Sequence, residues 1–262
     1  MSYIKSLSIV MPYCNRRQLL LNTLKSIDYF RGEHPIEIII IDDGSNEDQQ
    51  INDVPTIFPG LDFNIIMLER NRAHTTPVIA YNTGFNAAQG DAVLINCAES
   101  LHAGKIIDYI FDNLTPNYYL NFSAYMSDNE LNKECDDIRW DTENPLQSIL
   151  GKIESNPDKV WGCHSSMGNF IPYCGVINTS DLELLSGYDE RFSNGIGWDD
   201  YDFTDRINNI GVKSVAIDSP FCIHQYHKPT VYANYLNLDF LSRLRADFPN
   251  RIKPPNNEIY VR

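Results

Sequence analysis

Three aspartates stand within four residues at Asp199, Asp200 and Asp202, directly after Gly197 and Trp198. A carboxylate can take the proton of an attacking hydroxyl group, which is the general-base step of many transfer reactions. Trp198 adds a flat apolar ring against which a ligand can pack. Acidic residues are also favoured in the first turn of a helix, where they face the positive end of the helix dipole. Three aspartates exceed what a helix start requires, so the segment predicts catalytic chemistry.

Polar residues also follow each apolar run of the first hundred residues. These groups are Tyr13–Asn15, Asp42–Asp43, Asn71–Arg72 and Asn96–Glu99. The second group continues with Gly44 and Ser45, which favour a sharp turn. A carboxylate at such a turn can accept hydrogen bonds from a nucleobase or from ribose hydroxyls, although turn formation alone also explains these residue types.

The elements that position these groups alternate between strand and helix. Apolar runs predict strands over 7–11, 37–41, 63–68 and 92–95, and amphipathic spacing predicts helices over 16–30, with Asn15 as its N-cap, and over 77–88. The β-branched run at 38–41 is typical of a strand buried on both faces of a parallel sheet. The order indicates a doubly wound α/β fold, in which ligands bind at the carboxyl ends of the strands. The four polar groups are therefore expected on one edge.

The second half is less regular. It predicts strands over 118–124, 174–178 and 212–217 and a helix over 201–209. Ser180 and Glu183 have the spacing of a capping box before a short helix. The polar residues 126–147 are interpreted as a loop, and the tail from 229 is expected to wrap the surface.

The composition excludes some classes of partner. The chain has 262 residues, with 21 basic and 35 acidic side chains and a net charge of −14. Such a chain is poorly suited to nucleic-acid phosphates or an anionic membrane surface. The N-terminus has no signal-peptide pattern, and no apolar run approaches the roughly 20 residues of a membrane span. We therefore expect a cytoplasmic protein without a transmembrane segment.

Two stretches carry a resemblance to a known family. Residues 8–13 with Asn15–Arg16, followed by 38–45, resemble the opening of family 2 glycosyltransferases with the GT-A fold. Residues 187–192 and 197–202 resemble the acceptor-side motif of that family, and also the Trp-Gly-Gly-Glu-Asp stretch of β-1,4-galactosyltransferases. The resemblance implies a Rossmann-like, mostly parallel central sheet flanked by helices.

The same resemblance implies a division of the chain. One GT-A domain is expected over 1–230, with a nucleotide-sugar-binding half at 1–118 and an acceptor and catalytic half at 119–230. Residues 231–262 are expected as a C-terminal tail packed on that domain.

The resemblance further implies a donor site for a nucleoside diphosphate sugar, with UDP as the nucleotide by family frequency. The residues assigned to it are Pro12, Tyr13, Asn15, Arg16, Asp42, Asp43, Arg72 and Asn82. Tyr13 and Asp43 are expected to hold the nucleoside, and Arg72 to approach a phosphate. Gly84 would let its helix pack close to the nucleotide or to a strand.

A metal site is implied where the family ends its fourth strand in Asp-x-Asp. This sequence departs from that pattern, because Asn96 replaces the first aspartate and Glu99 is the only carboxylate nearby. The resemblance implies that Glu99 and His224 ligate Mn²⁺ or Mg²⁺, with His227 as the alternative histidine. Glu99 as a residue favoured by a helix dipole is the other interpretation, and the substitution leaves a metal requirement open.

For catalysis, the resemblance implies a hexosyltransferase-like, inverting reaction. Asp200 matches the general base, and Asp199 and Trp198 match residues that bind the acceptor. The acceptor would be a hydroxyl group of a glycan, a protein or a small molecule. Asp202 and Arg206, four residues apart, are interpreted as a surface ion pair worth a few tenths of a kcal/mol.

Two other classes of function remain open at this stage. A degenerate, non-catalytic module that binds a nucleotide-sugar or a glycan would explain the missing Asp-x-Asp. A nucleotidyltransferase has a similar α/β half, but such enzymes carry a glycine-rich basic loop after the first strand. Residues 12–17 contain no glycine, which disfavours that class.

Overall fold

The computed structural model describes residues 3–70, 74–168, 170–228, 236–255 and 257–260. Within these ranges, nine strands form one sheet in the order β3-β2-β1-β4-β8-β6-β9-β5, with β7 paired to β6. The strands are Leu7–Tyr13 (β1), Ile36–Asp43 (β2), Phe63–Leu68 (β3), Ala92–Asn96 (β4), Ser100–Ala103 (β5), Tyr118–Met126 (β6), Trp161–Cys163 (β7), Cys174–Asn178 (β8) and Lys213–His224 (β9).

Six of the nine strands run in one direction. β1 to β4 are mutually parallel, and β6 and β9 share their direction, whereas the shorter strands β5, β7 and β8 run against them. The carboxyl ends of the six long strands therefore meet at one edge of the sheet, here called the rim. The mostly parallel α/β sheet predicted from the sequence is confirmed.

Helices cover both faces of this sheet. They are Arg17–Phe30 (α1), Val54–Ile57 (α2), Val78–Ala87 (α3), Ile106–Asn113 (α4), Asn129–Asp136 (α5), Gln147–Ser155 (α6), Thr179–Leu185 (α7), Asp199–Asn209 (α8) and Leu236–Asp247 (α9). The side chains of β2 alternate between two cores: Ile38 and Ile40 pack with α1, α2 and α4, whereas Ile39 and Ile41 pack with α3, α7 and α8. This alternation explains the continuous isoleucine run, because both faces of the strand are buried.

Some predicted boundaries are wrong. β1 continues through Pro12 to Tyr13, because its ladder with β2 persists to the Tyr13–Asp42 pair. β9 does not stop at Ile217 but runs to His224, since β6 and β5 pair with its later residues. The extension places His224 at the end of a strand, and therefore on the rim.

Other segments differ in type. Part of the expected loop at 126–147 is the helix α5, whose N-cap Asp128 accepts two backbone hydrogen bonds. Ser180 and Glu183 lie inside α7 and form no capping box, because that helix begins at Thr179 after Asn178. The described part of the tail contains α9, which packs with α8.

Helix α3 packs closely on the sheet at Gly84. A Cβ atom at this position would lie 2.6 Å from Ile41 Cδ1 and would also overlap Val10. Gly84 therefore lets α3 approach strands β1 and β2. This confirms the prediction that the glycine allows its helix to pack close to a strand.

We predict that Gly84→Ala lowers the free energy of unfolding by about 1–3 kcal/mol, because it forces an extra carbon into a packed core. Urea unfolding measures the change. Gly151→Ala is the control, since a Cβ on that residue of α6 meets nothing within 4 Å. Removing an exposed helical glycine should raise stability by about 0.5–1 kcal/mol. Equal effects of the two changes would contradict this account of the packing.

Candidate active site

The loops that follow β1 and β2 are joined by Asn15. Its backbone N–H donates to Ser45 Oγ at 3.0 Å, and its Oδ1 accepts from the N–H of Asn46 at 2.8 Å. Asn15 has a left-handed backbone, with φ of 53°. It does not cap α1, because Arg16 occupies the N-cap position and makes no side-chain capping bond. Asn15 instead holds two rim loops together.

Three residues assigned to the donor site lie in β1 and β2, directly before the loops of the rim. Pro12 lies in the β1 ladder opposite Ile41. The ring of Tyr13 is buried, and its hydroxyl donates to the Gln49 carbonyl at 2.5 Å. Burial and then the charge of Asp42 raise the pKa of Tyr13 to about 12. Asp42 is fully buried and accepts from the Ser45 N–H at 2.8 Å.

Asp43 is the more accessible carboxylate of the pair. It is half-buried at the end of β2, and burial raises its pKa. His74 and Arg70 carry charges that act on it in the opposite direction. Arg72, which was assigned to a donor phosphate, lies outside the described residues.

Asn82, which was assigned to the donor site, has a structural role. Its side chain is fully buried. Its Nδ2 donates to the Tyr188 carbonyl and to Glu190 Oε1, both at 3.0 Å, and its Oδ1 accepts from the Tyr188 N–H at 2.8 Å. Asn82 therefore fixes the loop at 188–190 to α3 through three hydrogen bonds.

A cluster of one carboxylate and two imidazoles stands on the rim. Glu99, His224 and His227 each offer one ligand atom, and these atoms lie within 4.8 Å of one another. The strand pairing explains the arrangement: β5 is antiparallel to β9, so Ser100 pairs with His224 and brings the preceding Glu99 beside it. A backbone bond of 3.0 Å from the Gln225 N–H to the Glu99 carbonyl completes the junction.

Glu99 is surrounded by cationic or potentially cationic groups. Arg16 Nη1 lies 2.6 Å from Glu99 Oε1, His227 Nε2 lies 3.1 Å away and His224 Nε2 lies 3.6 Å away. Burial alone would raise the pKa of Glu99, but hydrogen bonds from both histidines and the charge of Arg16 hold it well below its usual range. Glu99 is therefore ionised at neutral pH.

Asn96, which replaces the first aspartate of the family pattern, does not face this cluster. Its Nδ2 donates to the Cys97 carbonyl at 2.9 Å, and its Oδ1 lies 3.2 Å from His102 Nε2. Both Asn96 and His102 are fully buried. Burial lowers the pKa of His102 to about 3, so it is a neutral hydrogen-bond partner.

The proposed catalytic carboxylates begin α8. Gly197 and Trp198 both have left-handed backbones, with φ of 70° and 69°, and they turn the chain into this helix. Asp199 is buried, whereas Asp200 is partly exposed and accepts from the Tyr188 hydroxyl at 3.1 Å. Burial raises the pKa of Asp200 to about 6, and burial plus the charge of Asp200 raises that of Asp199 well above its usual range.

Aromatic rings pack beside both the Glu99–His224–His227 cluster and Asp200. The Tyr188 ring stacks on Tyr81 at 5.3 Å and on Phe203 at 4.5 Å. Tyr173 contacts His224 at 4.9 Å. Burial first, and then the charge of Glu99, raise the pKa of the Cys97 thiol well above its usual range, and the charge of Asp200 acts in the same direction.

Buried ion pairs tie α8 to the C-terminal segment. Arg206 Nε donates to Asp202 at 2.9 Å, and Arg251 donates to Asp202 and also to Asp189 at 2.6 Å. Burial alone would raise the pKa of Asp189, but Arg191 and Arg251 hold it below its usual range. The expectation of an exposed Asp202–Arg206 pair is wrong, because Arg206 is only 1% exposed under the C-terminal segment.

Further bonds from this segment hold the loop that leads to α8. Asn257 Nδ2 donates to the carbonyls of Ser186 and Tyr188, both at 2.7 Å. Asn237 Nδ2 donates to Phe192 and Gly197 carbonyls at 3.1 and 2.9 Å. The loop at 186–198 is therefore clamped at both ends.

Three residues of the site had no assigned role or only a secondary one. His227 is three positions after His224, and this spacing was the signal that made it the alternative ligand. Tyr188 lies in the family-like segment, but no pattern indicates that its hydroxyl reaches Asp200. Arg251 has no sequence signal, because its partners lie 49 and 62 residues away.

The comparisons with known proteins agree with this architecture. Residues 8–97 match the family model described as glycosyl transferase family 2. That match covers β1 to β4 with the connecting helices, and it confirms the resemblance seen at 8–16 and 38–45. No curated protein sequence matches the chain.

Solved structures share the fold at low identity. One is the mannosyltransferase PcManGT from Pyrobaculum calidifontis in complex with GDP-Man and Mn²⁺, with a TM-score of 0.57, 16% identity, and 87% of this chain aligned to 58% of that one. Another is S. aureus TarS 1-349 in complex with UDP, with a TM-score of 0.63, 14% identity, and coverage of 92% and 64%. TarS 1-349 in complex with UDP-GlcNAc gives a TM-score of 0.61 at 14% identity, with coverage of 92% and 66%.

These likenesses establish a GT-A fold, and the family 2 match covers its first four strands. The chain spans about three fifths of the length of the mannosyltransferase and just under two thirds of these TarS chains. Within the described ranges, no helix has the length and apolar character needed to cross a membrane.

We predict that Arg251→Met lowers the free energy of unfolding by about 3 kcal/mol, because it removes one partner from two buried carboxylates. Arg245→Met is the control. Arg245 also joins α9 to α8, by two contacts to Asp205 at 2.7 and 3.1 Å, but it is 52% exposed. A surface pair should contribute less than about 1 kcal/mol. Chemical denaturation distinguishes the two, and equal losses would contradict the buried network.

Proposed function

We propose that this chain is a glycosyltransferase that moves a sugar from a nucleoside diphosphate donor to a hydroxyl acceptor. The observation that carries the proposal is the Glu99–His224–His227 cluster at the rim, found together with the carboxylate of Asp200 in the first turn of α8. A proton acceptor and a cation-binding cluster at the same edge of a GT-A sheet suit the two ends of a sugar-transfer reaction.

The donor is proposed to lie across the loops that Asn15 joins. Asp43 is the carboxylate available to nucleoside hydroxyls, whereas Tyr13, Asp42 and Pro12 support its loop. Arg16 is the described cation that a phosphate would approach from this side. A uridine nucleotide is supported by the UDP complexes of TarS, and the GDP-Man complex of the mannosyltransferase shows that this fold also accepts another base.

A divalent metal fits the cluster by its donor set. Glu99, His224 and His227 would hold it, and a bound divalent ion would offset negative charge on the diphosphate. Two imidazoles and one carboxylate suit Mn²⁺ better than Mg²⁺, which prefers oxygen ligands. Arg16 shares Oε1 of Glu99, so it must give up part of this contact when a cation binds.

Asp200 is the proposed base. The Tyr188 hydroxyl bonds to one carboxylate oxygen and thereby fixes its orientation, while the other oxygen remains for the acceptor hydroxyl. Asp200 takes the acceptor proton as the acceptor oxygen bonds to the anomeric carbon. The bond from that carbon to the phosphate oxygen breaks, and its electron pair leaves with the nucleoside diphosphate. Attack opposite the leaving group inverts the anomeric centre.

Asp199 and Trp198 complete the acceptor side. Asp199 has a strongly raised pKa, mainly from burial, so its protonated form can donate a hydrogen bond. Trp198 is partly exposed and packs at 5.3 Å against Tyr201. These positions support the assignment of both residues to acceptor binding.

A non-catalytic binding module is the second candidate. Its supporting observation is the inward position of Asn96, which leaves the cluster one carboxylate short of the family pattern. Such a module would bind nucleotide-sugar without releasing the nucleoside diphosphate, so the experiment on Asp200 below separates the two.

We predict that Asp200→Asn reduces turnover by at least a thousandfold while the donor Kd changes less than threefold, because the amide cannot accept the proton. In the unchanged protein, kcat/KM should rise as pH increases through about 6, where the raised pKa of Asp200 places its ionisation. Nucleoside diphosphate release and donor calorimetry provide the two measurements.

The control is Asp108→Asn, which makes the same change in the first turn of α4, on the other core. It should leave turnover unchanged. Donor binding without release by the unchanged protein, for every nucleotide-sugar tried, would reject the enzyme in favour of the binding module. Equal loss of donor binding and turnover in Asp200→Asn would reject its role as base.

We predict that Mn²⁺ binds more tightly than Mg²⁺, and that His224→Ala or Glu99→Gln weakens Mn²⁺ binding at least tenfold. Electron paramagnetic resonance of free Mn²⁺ reports binding without any turnover. The control His34→Ala removes an imidazole that pairs with Asp108 at 3.0 Å, and it should not change the Mn²⁺ affinity. Unchanged affinity in both cluster variants would show that these residues are not the ligands.

A further inference from the structure

A cavity begins at the proposed base and follows one face of α8. Its volume is about 240 Å³. The helix contributes Asp200, Tyr201, Thr204 and Asn208, at spacings that share one side of an α-helix. Phe170 lies on the facing wall, and its carbonyl is 3.5 Å from the Thr204 hydroxyl. We call this space the acceptor groove.

The charges in the acceptor groove disfavour an anionic ligand. Arg245 is the cation among its described lining residues, and both of its contacting nitrogens bond to Asp205 at 2.7 and 3.1 Å. Its charge is therefore balanced within the protein. Asp200 adds a further carboxylate, which would repel a phosphate or carboxylate group on the ligand. Among the described lining residues, no unpaired cation is present to bind such a group.

The remaining surface combines an aromatic ring with polar side chains. Tyr201 is 36% exposed, and Trp198 packs behind it with ring centroids 5.3 Å apart. Because Trp198 already restricts the Tyr201 ring, little conformational entropy is lost when a ligand packs on that ring. Asn208 is exposed and adds a donor and an acceptor further along the helix.

This lining matches one kind of hydroxyl compound better than the others. A long alkyl chain needs a mostly apolar groove, whereas more than half of the lining side chains are polar or charged. An extended peptide commonly pairs with an exposed strand edge, but a helix forms this wall. A sugar ring has an apolar face that packs on an aromatic ring and hydroxyl groups at its edge that bond to amides and carboxylates.

We propose that the acceptor groove binds a neutral saccharide, whose ring packs on Tyr201 while one of its hydroxyl groups reaches Asp200. Asn208 bonds to hydroxyl groups on the part of the saccharide farther from the base. The proposal rests on the proposed function for the meaning of "acceptor", and it narrows the acceptor from any hydroxyl compound to uncharged carbohydrate.

Binding can be measured without turnover. Saturation-transfer NMR with the full chain should detect neutral methyl hexosides and their disaccharides. Methyl hexosiduronates, which differ by one carboxylate, should bind at least tenfold more weakly. A serine-containing peptide and a linear alcohol serve as the other acceptor classes.

Substitutions then locate the binding. Tyr201→Ala should weaken saccharide binding at least tenfold, and Asn208→Ala about threefold to fivefold. Tyr118→Ala is the matched control, because Tyr118 is also 36% exposed but lies at the start of β6, away from the rim. It should leave saccharide binding unchanged, and none of the three variants should alter donor affinity.

Several outcomes would overturn the proposal. They are equal or tighter binding of the uronate, binding of only the peptide or the alcohol, binding by no neutral saccharide, or unchanged affinity in Tyr201→Ala. Failure of the proposed function looks different, since saccharides would bind at Tyr201 while no donor releases its nucleoside diphosphate. Release that is stimulated only by a non-saccharide acceptor would keep the enzyme and reject the neutral saccharide.

Discussion

The pairing of buried charges around Arg251 is the constraint on which the acceptor side of the molecule depends. Removing an ion from water costs several kcal/mol unless a partner replaces the water, so Asp189 and Asp202 can be buried only with guanidinium groups beside them. Arg251 reaches both carboxylates, and Arg206 completes the pairing on α8. The C-terminal segment must therefore lie over α8 for the first turn of that helix, which contains Asp199 and Asp200, to have one defined position.

Strand direction determines where Glu99 and His224 lie. β9 runs parallel to β6, and its carboxyl end therefore reaches the rim with the ends of β1 and β2. The short strand β5 runs back along β9, so the residue before it returns to the same place. His224 and Glu99 meet for this reason, although 125 positions separate them in the sequence. The cluster therefore results from the order and direction of the strands, and no short sequence motif is required to form it.

The sequence predicts what depends on local pattern and misses what depends on distant contacts. Apolar and buried runs locate β1 to β4, and the described polar groups that follow β1, β2 and β4 lie at the rim because parallel strands end together. The structural role of Asn82 was not predicted, because a buried asparagine and a ligand-binding one have the same spacing in a helix. Arg206 was expected at the surface because helix spacing cannot show that α9 and residues 251–252 cover it. Family resemblance indicated Asp200, but only the fold shows Tyr188 bonded to it.

The two carboxylates at the heart of the site have opposite electrostatic surroundings. Two imidazoles and Arg16 surround Glu99 and hold its pKa low, so this carboxylate stays ionised. Asp200 has a tyrosine hydroxyl and no described cation beside it, and burial raises its pKa to about 6. A base of that strength is ionised at neutral pH and still has a useful affinity for a proton. The same fold thus keeps one carboxylate ionised and leaves the other able to accept a proton.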